Sequence, residues 1–188
     1  FNSAASRSFC GIYEMASRVL KHLQAVQGLP ETQYQERADR MWERLLEIVL
    51  FIRTKSHRTL AQILNAFVGK DENKSNISAA ERQSLTEMFA FLKGFYAQAG
   101  IKASKLATDQ PHFYTMVTSI YTLGMVNKYD DLGRRLGAVA KMVDGAAAAP
   151  HGKGQTLKQY MELSSKQTTH PGRRDDRQRL FAELVEVA

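Results

Sequence analysis

A chain of 188 residues that is 44% hydrophobic and 24% charged can bury about 70% of its unfolded surface, and with 4 Pro and 12 Gly it is neither collagen-like nor low-complexity. Its apolar runs, such as Ile48-Val49-Leu50-Phe51-Ile52, are far shorter than the roughly 20 residues of a membrane span, and the single Cys10 excludes an internal disulfide and a cysteine-based metal site. A net charge of +7 suits a polyanionic partner and serves equally well as a solubility device.

Every periodic segment has helical spacing. From Ser3 to about Val26, Phe9, Ile12, Tyr13, Ala16, Val19, Leu20 and Leu23 gather on one face. After Gly28-Leu29-Pro30, a second helix is expected from about Glu31 to Thr54, its stripe formed by Met41, Leu45, Ile48, Val49 and Ile52. A shorter one follows from His57 to Val68, with Gly69 as its left-handed cap, and residues 70–76 read as an exposed loop. Ser78 and Glu81 form a capping box that opens a helix to about Ala99, carrying Leu85, Met88, Phe89, Leu92, Phe95 and Tyr96.

Thr108-Asp109 with Pro111 signals the next start, and Phe113, Met116, Val117, Ile120 and Leu123 make its stripe. A helix from about Lys128 to Asp144 uses Leu132, Leu136, Val139 and Val143, and the pair Gly133 and Gly137 suggests close helix packing. Gly145 to Gly154 is a break, after which helices run from about Gln155 to Leu163 and from about Arg174 to Val187. The expected fold is therefore all-α, an irregular bundle of about seven or eight helices. Residues 1–145 form its main part and residues 146–188 a C-terminal helical extension packed on the same domain.

No constellation for catalysis emerges. Gly152-Lys153-Gly154 lacks the Gly-Lys-Ser/Thr ending of a phosphate loop, and the five histidines never adopt metal-ligand spacing. Cys10 lies beside an apolar stripe and reads as packing, whereas His112, in a helix first turn, reads as a local hydrogen-bonding group. Asp130-Asp131 and Asp175-Asp176 fall near helix starts, where the macrodipole stabilises negative charge. Neither a metal nor a cofactor is expected.

Two basic clusters remain as candidates for nucleic-acid contact. One is Arg53, Lys55 and Arg58 at a helix junction; the other is Lys166, Arg173, Arg174, Arg177 and Arg179, leading into the last helix. Arginines and lysines at helix junctions contact phosphates without reading base sequence, and the competing reading is a solvated, salt-bridged surface. The segment around residues 173–177 is polar, so truncating its arginines is expected to spare the core.

The order of these pieces resembles the helical region that follows the catalytic half of GmrS-type proteins, a prokaryotic family of modification-dependent restriction and phage defence with a ParB-like N-terminal domain. The resemblance rests on Arg40-Met41 leading into Glu47-Ile48-Val49-Leu50-Phe51, on Leu60-Ala61-Gln62-Ile63-Leu64-Asn65-Ala66-Phe67, and on Asp109-Gln110-Pro111-His112-Phe113-Tyr114. It continues in Ser164 to Thr169 followed by Arg173-Arg174 and Arg177. The family's Asp-Gly-Gln-Gln-Arg signature and a His-Asn-His nuclease motif do not occur, so no catalytic residue carries over. The resemblance implies a non-catalytic accessory or regulatory domain that partners an upstream ParB-like, nucleotide-hydrolysing domain and helps to hold DNA.

The chain opens at Phe1 without an initiator Met or a signal-peptide pattern, which favours a fragment of a longer protein. A cytoplasmic location, no membrane partner and a homo-oligomer are the companion expectations. The other functional class open to such a sequence is a helical protein-interaction or dimerisation module that does not bind nucleic acid.

Overall fold

The computed structural model describes residues 47, 48, 51, 52, 54–58, 62, 79–98, 100–166 and 168–188. These residues form helices and no strand, so the class is all-α. The helix expected from Ser3, the Gly69 cap, the loop at residues 70–76 and Ser78 of the capping box lie outside the described residues.

Glu47, Ile48, Phe51, Ile52 and Thr54 are helical, as the apolar stripe requires. The turn ends where Lys55 adopts the left-handed conformation, with φ 53°, and its amide donates to the Phe51 carbonyl at 2.7 Å. Glycine usually fills such a terminating position, and Lys55 is held there with its ammonium 4.0 Å from the centre of the Tyr121 ring.

Helix α1 spans Ala79–Tyr96 and buries Met88, Leu92 and Phe95, spaced for one face. A 3-10 turn, Ile101–Ala103, and a short α2, Lys105–Thr108, fill a stretch for which the sequence offered no element. Ser104 starts α2 by accepting the Leu106 amide at 3.1 Å, and Leu106 and Ala107 are fully buried.

Helix α3, Gln110–Thr122, is the centre of the molecule, with every residue from His112 to Ile120 buried. Its threonines tolerate this because each hydroxyl bonds back along the helix: Thr115 to Pro111 at 2.7 Å, Thr118 to Tyr114 at 2.9 Å and Thr122 to Thr118 at 2.6 Å. Asp109 precedes it, as its start signal predicts, but the carboxylate caps no amide.

The helix expected from about Lys128 is α5, which starts four residues later at Leu132–Val143, and a short α4 at Met125–Lys128 precedes it. Asp131 stands at the start of α5 and accepts hydrogen bonds from Arg134 and from Arg135, the latter at 2.7 Å. Among the described residues close packing through Gly133 and Gly137 is not found: a methyl at Gly137 would meet none of them within 4 Å, and one at Gly133 would meet the Gln98 side-chain amide nitrogen at 3.4 Å.

Helices α6, Gly154–Ser165, and α7, Pro171–Val187, follow the break. Helix α7 packs against α6, α3 and α5, burying Leu180, Phe181, Leu184 and Val185.

Candidate functional site

Four buried apolar residues of α7, Leu180, Phe181, Leu184 and Val185, define its inner face. Four and seven residues before Phe181 stand Arg177 and Arg174, so two arginines continue the apolar stripe into the core. Arg177 is 1% exposed and Arg174 3% exposed.

Arg177 donates to Thr115 Oγ1 at 3.1 Å, to the Leu163 carbonyl at 3.3 Å and to the Thr168 carbonyl at 3.0 Å. Leu163 belongs to the last turn of α6, whose carbonyls lack intrahelical partners, so the guanidinium closes that helix end and meets its negative dipole. Arg173, one turn earlier, points Nη2 at the neighbouring Glu162 carbonyl, 3.4 Å away, while its buried Nε makes no hydrogen bond among the described residues. Burial of Arg177 lowers its pKa to about 10, with Arg174 adding repulsion.

Arg174 has a carboxylate partner, Glu47, at 2.9 Å, and both side chains are buried. The same guanidinium reaches the Thr168 carbonyl at 3.3 Å and the Arg58 carbonyl at 3.3 Å, and it lies 4.4 Å from the Tyr114 ring centre. It thereby ties Glu47, Arg58, the α6–α7 connection and α3 to one side chain.

Beside it His57 is 6% exposed and stacks on Phe51 with ring centres 4.4 Å apart. Its Nε2 faces Gln178 Oε1 at 3.3 Å and Asp175 Oδ1 at 3.6 Å, both acceptors, which assigns the proton to Nε2. Nδ1 then accepts from the Tyr114 hydroxyl at 2.9 Å. Gln178 is oriented by its amide donating to Thr122. A second pair repeats the arrangement: His112 Nε2 faces Asp109, and Nδ1 accepts from the Tyr160 hydroxyl at 2.8 Å. Burial lowers the pKa of both histidines to about 4 and raises that of both tyrosines.

The chain matches no protein-family model, no curated protein and no solved structure. Its function is therefore read from where the candidate residues stand.

Arg53 lies outside the described residues. Lys55, Lys166 and Arg179 are exposed, Arg58 and Arg173 are half-buried, and Arg179 is paired with Glu183 at 2.8 Å. Arg174 and Arg177 are interior, so the expectation that the segment at residues 173–177 is polar and dispensable is overturned: two of its three arginines are core residues whose donors are engaged with protein oxygens. Nothing in the sequence marks Glu47, His57, Tyr114 and Gln178 as partners of this cluster. Among the described residues, no group of three or more His, Cys, Asp or Glu could hold a metal ion, and no helix is long and apolar enough to cross a membrane.

Proposed function

We propose that this chain is a non-catalytic helical accessory domain of a DNA-targeting defence protein, acting beside a ParB-like, nucleotide-hydrolysing domain and contacting DNA phosphates. The proposed contact surface is where the segment of Lys55 and Arg58 meets that of Lys166 and Arg173. One observation carries this reading: the hydrogen bond from Arg174 to the Arg58 carbonyl bridges 116 residues and brings the two basic segments to the same corner of the fold. Arg174 and Arg177 build that corner and do not touch phosphate. Arg179 contributes less than the others because Glu183 neutralises it.

The resemblance to the GmrS-type helical region supplies the biological setting; in this chain Arg177 closes α6 and anchors α7. A phosphate surface of this kind reads no base sequence. Titration of the protein with duplex DNA across a salt series tests the proposal, with binding of similar strength to unrelated sequences that weakens steeply as salt rises. Absence of binding at low salt would reject it in favour of a helical interaction or dimerisation module.

A further inference from the structure

His57 is the one ring among the described residues that bridges α3 and α7 from the 47–58 segment, and both of its nitrogens are engaged. The charged and titratable groups facing it are Tyr114 from α3 and Arg174, Asp175 and Arg177 from α7; Glu47, from its own segment, is held by Arg174. A second proton would have to sit on Nδ1 and point at the Tyr114 oxygen. That hydroxyl would lose its acceptor and turn its own proton away, beside the Arg174 guanidinium that already faces it. Among the described residues the interior would then hold three cations, His57, Arg174 and Arg177, against the buried carboxylate of Glu47. Among the described residues Asp175 is the other anion facing the ring, but its side chain is 67% exposed and water screens it.

We propose that His57 is a proton-operated latch: the neutral ring fastens residues 51–58 to α3 and α7, and the doubly protonated ring releases them. The release acts locally, because α7 keeps its apolar face on the core through Leu180, Phe181, Leu184 and Val185, while the released segment meets α7 through His57 to Gln178 and through the Arg58 carbonyl to Arg174. The latch does not depend on DNA binding, so its test is independent of the proposed function.

Two measurements decide it. In the intact protein, amide hydrogen exchange at residues 51–58, corrected for the intrinsic effect of pH, should accelerate about twentyfold between pH 7 and pH 5. That figure follows from linkage when a group falls from 6.5 in the open state to about 4 in the closed state. His57→Asn should remove the acceleration, and His112→Asn should leave it in place. Should His57→Asn not fold, the ring proton signal of His57 in the unmodified protein decides the matter by its midpoint. A midpoint far below 6.5 supports the latch; a midpoint at or above 6.5, or acceleration unchanged in His57→Asn, overturns it.

Discussion

Arg177 donates to the hydroxyl of Thr115, and that hydroxyl donates in turn to the carbonyl of Pro111. A charged side chain of the last helix is thus linked through Thr115 to the first turn of the central one. Its remaining bonds go to two part-buried backbone carbonyls, so removing it takes a donor from three oxygens at once, of which the Thr168 carbonyl keeps Arg174 and the Thr115 hydroxyl keeps Pro111. Arg177→Met, which keeps the volume and loses the donors, should destabilise the fold by about 3 kcal/mol. Denaturant unfolding checks this, and a loss below about 1 kcal/mol would show that water replaces these bonds.

The Glu47–Arg174 pair predicts strong non-additivity. Arg174→Ala removes the guanidinium from a buried carboxylate and should cost about 3 to 5 kcal/mol, whereas adding Glu47→Ala should restore part of that loss. A double-mutant cycle measured by chemical denaturation reads the coupling directly.

Much of this arrangement is written in the sequence, but in a form that composition conceals. The helix α3 stripe, its Asp109-Pro111 start and the break at residues 145–153 are legible because periodicity and backbone chemistry are local. The short α2 is not, since four residues are too few to show a period, although Ser104 two residues before Leu106 is a cap signal once the turn is known. Arg174 and Arg177 read as surface because charge outweighs phase: counting back from Leu184 and Phe181 places both on the buried face. Nothing local could announce that Glu47 and the Arg58 carbonyl meet Arg174, because those contacts span 127 and 116 residues.

Tyr160→Phe removes the donor to His112 Nδ1 and leaves a buried ring nitrogen without its partner. A destabilisation of about 1 to 2 kcal/mol is expected, with little change in helix content by circular dichroism.

Acid should weaken the whole fold. Both histidines have folded pKa values near 4, below the unfolded 6.5, so the stability they contribute is full above pH 6.5 and is lost as pH falls toward 4. The melting temperature should therefore decline through that window, and His112→Asn should make the decline shallower. A melting temperature that stays flat from pH 6.5 down to about 4 would contradict the burial of these rings.

The division of the arginines into anchors and phosphate-binding groups is tested most directly by the salt dependence of DNA affinity in two variants. Replacing Arg58, Lys166 and Arg173 together by Ala should flatten the slope of log affinity against log salt by about one unit for each phosphate no longer neutralised, while the melting temperature stays within a few degrees. Arg177→Met should instead lower the melting temperature and, at a temperature where it remains folded, keep the slope. A triple variant with the parent's slope and affinity, or an Arg177→Met protein that is fully stable but has a slope flatter by about one unit, would contradict the division.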